Sequence, residues 1–373
     1  MSADVVVVGA GVQGSSVAFR LAQAGKKVVV LERAIPGAEA SGAAGGILSP
    51  GVEATEPGPF HALCRASLER YPGFVRDVEA LSGMSVAFRT LGTLEIALDD
   101  DHAKVLAARA EKLQRHRLPV EVLDPEAVRR LEPGISREAR GALYFADESS
   151  LDPRLLARAV YVAAARAGAS FVTGQVRRIV LEGGRAVGVE HDAGRIDAER
   201  VVLAAGAWSQ RVEGNGLPPG SVRPVRGQIA LLDTRPPLLS RVVFSGHGYV
   251  VPRPDGRILV GSTMEEVGFE KAVTAGGLRH VLDVAMGIAP ALAQAPVVDT
   301  WSNFRPSSPD GEPILGEGPS SGLLYATGHT RNGILLTPVT ADAIAALVLG
   351  RAPPVDLAPF SPARLAGILG PRR

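Results

Sequence analysis

Three glycines near the start of the chain restrict its fold more than any other feature of the sequence. Gly9, Gly11 and Gly14 have the spacing G-x-G-x-x-G, between a β-branched run at residues 4–8 and a helical pattern at 15–24. Such glycines permit a tight turn, a close approach of a pyrophosphate to the backbone, and close packing of helix on strand. The helix N-terminus favours the negative charge of the phosphates. The pattern therefore predicts a strand–turn–helix unit that binds a dinucleotide.

A second predicted strand, at residues 27–31, is followed by Glu32. An acid at the end of this strand accepts hydrogen bonds from ribose hydroxyls, which completes one βαβ unit. An NAD(P) site begins in the same way. Two features favour FAD: the unit lies at the extreme N-terminus, and residues 41–47 are almost all small, including Gly45 and Gly46. Such a stretch lets the backbone run beside a flat ring system, although a flexible loop is the alternative interpretation.

Composition and charge exclude several classes of protein. The 373 residues carry 40 Lys and Arg against 39 Asp and Glu, a balance that supplies no field for nucleic acid or an anionic membrane. The single cysteine, Cys64, excludes an internal disulfide and a cysteine-rich metal site, and we expect no metal. No apolar run is long enough to span a membrane, and no signal peptide pattern is present. We therefore expect a cytoplasmic protein.

Elements alternate at both ends of the chain, with a strand-rich middle from residue 222 to 261. Helical patterns occupy residues 59–81, 101–116, 124–131, 153–167, 275–288 and 338–349, and Thr337 is the expected N-cap of the last. This order predicts an α/β fold: a Rossmann-like nucleotide-binding domain of discontinuous segments, into which an α+β domain with an antiparallel sheet is inserted. We assign residues 1–85, 145–217 and 300–373 to the first domain, and residues 86–144 and 218–299 to the second.

Short motifs along the whole chain resemble the D-amino-acid oxidase superfamily of flavoproteins, and most of all the glycine oxidases of the thiamine pathway. Besides the first βαβ unit, these motifs occupy residues 42–48, 202–208, 224–228, 248–253, 260–264 and 304–306. The motif at 248–253 ends in Arg253. The most specific is residues 328–335, Gly-His-Thr-Arg-Asn-Gly-Ile-Leu. The resemblance implies FAD as the cofactor. A non-covalent link is expected because no cysteine follows Cys64 for attachment near the C-terminus.

The resemblance also implies the substrate site. Arg305, Tyr249 and Arg331 match the residues that meet the substrate carboxylate, and a planar guanidinium can hold a carboxylate by two parallel hydrogen bonds. A surface salt bridge is the alternative for Arg305, and Arg331 can serve the flavin or its own loop instead. His247, two residues before Tyr249, shares its strand face if the strand is regular, and either contacts the substrate or is structural. Met264 and Ile47 would be apolar walls of the pocket or members of the core.

A larger set of residues is implied to bind the cofactor. It contains Gly9, Gly11, Val12, Gln13, Gly14, Glu32, Arg33, Ala40, Ser41, Gly45, Gly46, Ile47, Val176, Gly206, His329, Thr330, Arg331, Asn332, Gly333, Ile334 and Leu335. Within this set, Val176 is expected on the adenine side. Gly45, Gly46, Ile47 and residues 329–335 are expected beside the flavin ring.

The implied reaction is oxidative deamination of glycine and other small amino acids: sarcosine, D-alanine and D-proline. Hydride passes to flavin N5, the imino acid hydrolyses to the keto acid (glyoxylate from glycine) and ammonia, and O2 is reduced to H2O2. Alternatives are a D-amino-acid dehydrogenase with another electron acceptor, a different oxidase of sarcosine or proline, a flavin domain related to tRNA-modifying enzymes, and a flavin-binding protein without catalysis. The resemblance also implies a homo-oligomer, a tetramer.

Overall fold

The structure is a computed structural model, which describes residues 2–370. Its helices are α1 (Val12–Gln23), α2 (Ala40–Ala43), α3 (Pro50–Glu53), α4 (Pro59–Ser82), α5 (Asp100–Arg115), α6 (Pro125–Leu131), α7 (Pro153–Arg166), α8 (Ala275–Ile288), α9 (Thr337–Val348) and α10 (Arg364–Leu369). Short 3-10 helices lie at Gly206–Arg211, Pro290–Gln294 and Ala358–Phe360.

The strands form three sheets. They are β1 (Ser2–Val8), β2 (Val28–Glu32), β3 (Ile47–Leu48), β4 (Arg89–Thr90), β5 (Thr93–Ala97), β6 (Glu121–Leu123), β7 (Gly141–Phe145), β8 (Ser149–Ser150), β9 (Ser170–Thr173), β10 (Val176–Glu182), β11 (Arg185–His191), β12 (Gly194–Leu203), β13 (Arg223–Asp233), β14 (Val242–Ser245), β15 (Gly248–Pro252), β16 (Arg257–Gly261), β17 (Val297–Ser307), β18 (Ile314–Glu317) and β19 (Leu323–Thr327).

The first large sheet has a parallel centre. β1 lies between β2 and β12, β9 pairs with β2, β19 pairs with β12, and all four of these pairings are parallel. The centre is buried on both faces, as the continuous apolar run of β1 requires. α1, α4, α7 and α9 contribute to the apolar core on one face. The antiparallel hairpin of β10 and β11 extends the sheet along the first half of β12.

The second large sheet has the strand order β17-β13-β16-β15-β14-β5-β7-β6. Its pairings are antiparallel, as expected, except for β14 with β5, which is parallel. α8 packs on one face and α5 on the other. A small third sheet of β3, β8 and β4 lies apart from both. The predicted α/β fold class is confirmed, whereas the division into two domains stays a prediction.

Sequence patterns predicted the longer helices well but missed several other elements. The helix expected at 275–288 has those bounds, and the others differ by a few residues at most. The missed elements are α2, α3, α10, β3, β6, β7, β8, β17 and β18. β17 contains Pro306, which argues against a central strand, but β17 is the edge of its sheet, where a missing N–H is tolerated. Thr337 is not an N-cap: it is the first residue of α9, and its Oγ1 donates to the Gly333 carbonyl at 2.9 Å.

One buried carboxyl gives the fold a pH-dependent stability. Glu148 is fully buried, and one carboxyl oxygen accepts a hydrogen bond from the Gly51 N–H at 2.6 Å. Burial raises its pKa from 4.5 to about 8, so folding favours the protonated form. The stability from neutral Glu148 is therefore complete below about pH 4.5 and is lost as the pH rises through about 8.

We expect Glu148→Gln to stabilise the protein at about pH 8 by several kcal/mol, on the order of 3, because the amide keeps the acceptor and never ionises. At about pH 5 the difference should nearly vanish. Urea unfolding at the two pH values measures it, and Glu121→Gln on exposed β6 is the matched control. An equal difference at both pH values would contradict the burial argument.

Candidate functional site

A cavity of about 700 Å³ lies between the parallel sheet and the second sheet. Most of the residues predicted to bind cofactor or substrate line it, although they are spread from Gly9 to Ile334. These are Gly9, Gly11, Val12, Gln13, Glu32, Arg33, Ala40, Ser41, Gly45, Gly46, Ile47, Val176, Gly206, His247, Tyr249, Met264, Arg305, His329, Thr330, Arg331, Gly333 and Ile334. Gly14, Asn332 and Leu335 lie behind this wall and do not line the cavity.

The turn at the start of α1 is packed so tightly that it requires glycine. Gly9 has φ +101°, and a Cβ there would lie 2.6 Å from the Ala204 carbonyl oxygen. A Cβ on Gly14 would lie 1.9 Å from the Gly9 oxygen, so Gly14 serves helix packing rather than ligand contact. The Val12 N–H donates to Ser41 Oγ at 2.9 Å. The first turn of α1 thus presents its N-terminus to the cavity wall.

Glu32 and Arg33 lie where β2 leaves the sheet. The Glu32 carboxylate accepts from the Ala10 N–H at 2.9 Å and from the Ala34 N–H at 3.1 Å. The Arg33 guanidinium stacks on the Trp208 ring at 3.7 Å. Glu32 is therefore held against the glycine turn, with an acceptor on the cavity, as a ribose hydroxyl requires.

The stretch of small residues is held in place by a buried arginine. Arg253 donates to the Leu151 carbonyl at 2.8 Å and to the Gly45 carbonyl at 3.0 Å. Burial lowers its pKa, which has no consequence for the charge of a guanidinium. Gly46 has φ +77°, and a Cβ there would lie 2.1 Å from the Leu151 oxygen. The backbone beside the cavity is thus well defined rather than a flexible loop.

The loop between β19 and α9 forms the opposite wall. His329 is buried, and burial lowers its pKa to about 3, so its imidazole is neutral. The Thr330 N–H donates to the Pro306 carbonyl at 2.9 Å, and Thr330 has a left-handed φ of +49°. Gln13 Nε2 donates to the Gly333 carbonyl at 2.6 Å and so joins the first helix to this loop. The first turn of α1 and the loop after β19 therefore meet at one site.

Arg305 projects from β17 and lines the cavity. It donates to the Thr263 carbonyl at 3.1 Å and to Ser262 Oγ at 2.6 Å. A Cβ on Gly227, in the neighbouring strand β13, would lie 2.3 Å from one guanidinium nitrogen, so Gly227 makes room for the side chain. Within residues 2–370 no carboxylate forms a salt bridge with Arg305. The surface salt bridge considered from the sequence is therefore not its environment.

One expectation about the substrate side was wrong. His247 does not share a strand face with Tyr249, because it lies in the turn between β14 and β15 and is exposed. Met264 lines the cavity, as expected of a pocket wall, and with 58% of its surface exposed it lies at the mouth and not in the core. Ile47 and Tyr249 are both partly buried and pack against the same cluster of apolar residues, as expected of a pocket wall for Ile47.

Glu53 is a cavity residue that sequence reasoning missed. It ends α3, and its Oε2 lies 2.9 Å from Arg331 Nε. Burial raises its pKa, although the Arg331 charge opposes this effect. A single acid at the end of a four-residue helix carries no recognisable pattern, so nothing in the sequence indicated it. Trp208 and Asn303 also line the cavity, and only Trp208 falls within a motif noted above.

The residues present fit a dinucleotide. Gly9 and Gly11 line the cavity without side chains at the N-terminus of α1, where a pyrophosphate would lie. Within residues 2–370, the buried atoms Gln13 Oε1 and Asn332 Oδ1 have no hydrogen-bond partner, which is unusual for buried polar groups. Gln13 lines the cavity, and because its Nε2 donates to Gly333, only its Oε1 is without a partner.

Comparison with known proteins decides the kind of dinucleotide. The family model described as FAD dependent oxidoreductase, DAO, matches residues 4–347. The chain belongs to this family. The glycine turn left open whether the dinucleotide contains nicotinamide or flavin, and the family shows that it is FAD. The predicted resemblance is confirmed.

Individual relatives align over nearly the whole chain. It is 36% identical to the glycine oxidase of Pseudomonas aeruginosa, over 97% of this chain and 99% of that protein. It is 35% identical to the bifunctional protein ThiO/ThiG of Synechocystis, over 99% of this chain and 55% of the relative, so it spans about half the length of such relatives. The crystal structure of glycine oxidase from Geobacillus kaustophilus has a TM-score of 0.93 at 33% identity, covering 96% of this chain and 98% of that one.

No helix within residues 2–370 is both long and apolar enough to cross a membrane.

Proposed function

We propose that the chain is an amino acid oxidase that deaminates glycine and other small amino acids, namely sarcosine, D-alanine and D-proline. FAD would supply the redox chemistry, which is the two-electron oxidation of the substrate Cα–H bond with O2 as the final acceptor and H2O2 as the product. The imino acid then hydrolyses to the keto acid and ammonia. The names of relatives that align along the whole chain support this function.

The observation that carries the proposal is the state of Arg305. Its guanidinium lines the cavity and is held from behind by Ser262 and Thr263. It keeps its positive charge, and no described carboxylate neutralises it through a salt bridge. A fixed guanidinium without a carboxylate partner in a cavity is suited to a carboxylate ligand, which it can hold by two parallel hydrogen bonds.

The other residues of the site complete the binding of a small amino acid. Tyr249 lies close enough to influence the Arg305 guanidinium, and its hydroxyl is a neutral hydrogen-bond donor. Ile47, Ile229 and Phe244 provide apolar walls that disfavour a large or charged side chain. Arg305 and Tyr249 would hold the substrate carboxylate at two points and so orient the Cα–H bond. Such positioning accounts for much of the rate enhancement in reactions of this kind.

The cofactor contacts are part of the same proposal. The pyrophosphate would lie on Gly11 and Val12, the ribose on Glu32 and the adenine beside Val176. The flavin ring would lie between residues 45–47 and residues 329–335. FAD is held without a covalent bond to cysteine, because Cys64 is fully buried and does not line the cavity.

Residues 1–85, 145–217 and 300–373 would form the FAD-binding domain. A cytoplasmic location and a homotetramer stay predictions.

The test is steady-state kinetics on glycine, sarcosine, D-alanine and D-proline, with H2O2 and O2 consumption as readouts. We expect one equivalent of H2O2 for each substrate molecule oxidised. If an artificial electron acceptor is reduced while no H2O2 forms, the protein is a dehydrogenase and the oxidase proposal is wrong. If no member of the panel is oxidised with either acceptor, the substrate class is wrong.

A further inference from the structure

An ion pair lines the same cavity as Arg305. Arg331 Nε lies 2.9 Å from Glu53 Oε2, and the Glu53 side chain is 10% exposed, against 47% for Arg331. Glu53 ends α3, whereas Arg331 lies in the loop after β19. The pair therefore joins two separate segments of the cavity wall.

The pair determines the charge that a ligand meets. Arg331 is neutralised by Glu53, whereas Arg305 forms no salt bridge with a carboxylate in the part of the chain that the structure describes. Glu95, whose charge also acts on Glu53, is itself paired with Arg109. The two guanidinium groups of Arg305 and Arg331 and the one carboxylate of Glu53 thus leave one net positive charge. One substrate carboxylate balances it.

We propose that Glu53 determines specificity by restricting the site to substrates with a single carboxylate. This inference rests on the proposed amino acid oxidation. A second acidic group, such as the second arm of iminodiacetate, would meet the Glu53 carboxylate and find Arg331 already paired. Repulsion by a partly desolvated like charge is an effective way to reject a competing ligand. Removal of the Glu53 charge frees Arg331 for the second carboxylate.

The test compares two ligands that cannot be deaminated, methoxyacetate and oxydiacetate, which differ by the second carboxylate. Their dissociation constants are measured by calorimetry on the FAD-loaded protein. We expect the wild type and the charge-conserving E53D to favour methoxyacetate. E53Q should shift the ratio of the two constants toward oxydiacetate by about tenfold or more, and E53Q/R331Q should lose this shift.

An unchanged ratio in E53Q, or a shift that survives in E53Q/R331Q, would overturn the proposal. The R331Q variant, in which Glu53 is intact, is the reciprocal test, and it replaces E53Q if E53Q does not retain FAD. R331Q leaves the Glu53 charge uncompensated, so methoxyacetate should bind to this variant about fivefold more weakly or worse. An unchanged affinity in R331Q would also overturn the proposal. A wild type that binds both ligands but oxidises no amino acid contradicts only the proposed function.

Discussion

Replacement of Arg305 by methionine should lower kcat/KM for glycine and sarcosine by about a thousandfold. The substitution removes two charge-assisted hydrogen bonds to the substrate carboxylate, each worth roughly 1.5–3 kcal/mol. It also leaves Ser262 Oγ and the Thr263 carbonyl without their donor. Arg305→Lys keeps the charge but not the planar fork, and should recover only part of the loss.

Two controls separate substrate binding from general damage. Arg223→Met changes an exposed arginine on neighbouring β13 that pairs with Glu266 at 3.4 Å, and activity should persist. The FAD absorbance of each purified variant reports on folding. If the loss of activity in Arg305→Met merely follows a loss of bound FAD, or if full activity remains, the carboxylate role assigned to Arg305 is wrong.

Replacement of Gly9 by alanine should yield a protein that is purified without FAD. The added methyl group would lie 2.6 Å from the Ala204 carbonyl oxygen, and the backbone at φ +101° is unfavourable for any side chain. The Ala204 N–H donates to the Val8 carbonyl, so relief of this clash pushes β1 away from β12. Overpacking and backbone strain together cost about 2–5 kcal/mol.

Gly25→Ala is the matched control for the strain alone. Gly25 also has a positive φ, +78°, but no atom lies within 4 Å of the position that its Cβ would take. The Gly25→Ala variant should lose about 1 kcal/mol in its free energy of unfolding and keep FAD. Flavin absorbance per chain and urea unfolding measure the two effects. Equal behaviour of the two variants would show that close packing at Gly9 does not determine cofactor binding.

The glycine turn was predictable because its physics is local. A strand, a turn and a helix N-terminus are encoded by consecutive residues, and Gly9, Gly11 and Gly14 need no distant partner to be recognised. The position of Glu32 follows from the same short unit. The later motif at 328–335 was located by resemblance, and the structure adds that Asn332 and Leu335 lie behind the wall.

Errors occurred where a turn or an edge depends on neighbouring strands. His247 was assigned to a strand face, but the β14–β15 hairpin turns at that residue. The edge strand β17, which carries Arg305, was missed because its pattern lacks alternation and includes a proline. Hydrophobic periodicity and secondary-structure propensity describe one segment at a time. Whether a strand is at the edge of a sheet depends on which other strands lie beside it.

The sequence by itself determined that the chain binds a dinucleotide, because adjacent residues build that turn. Only the tertiary structure decided what surrounds it. The Arg331–Glu53 pair and the contacts of Arg305 with Ser262 and Thr263 each join segments far apart in the chain. A charge acquires its meaning from the charges and donors nearby, and folding alone determines which of them are near.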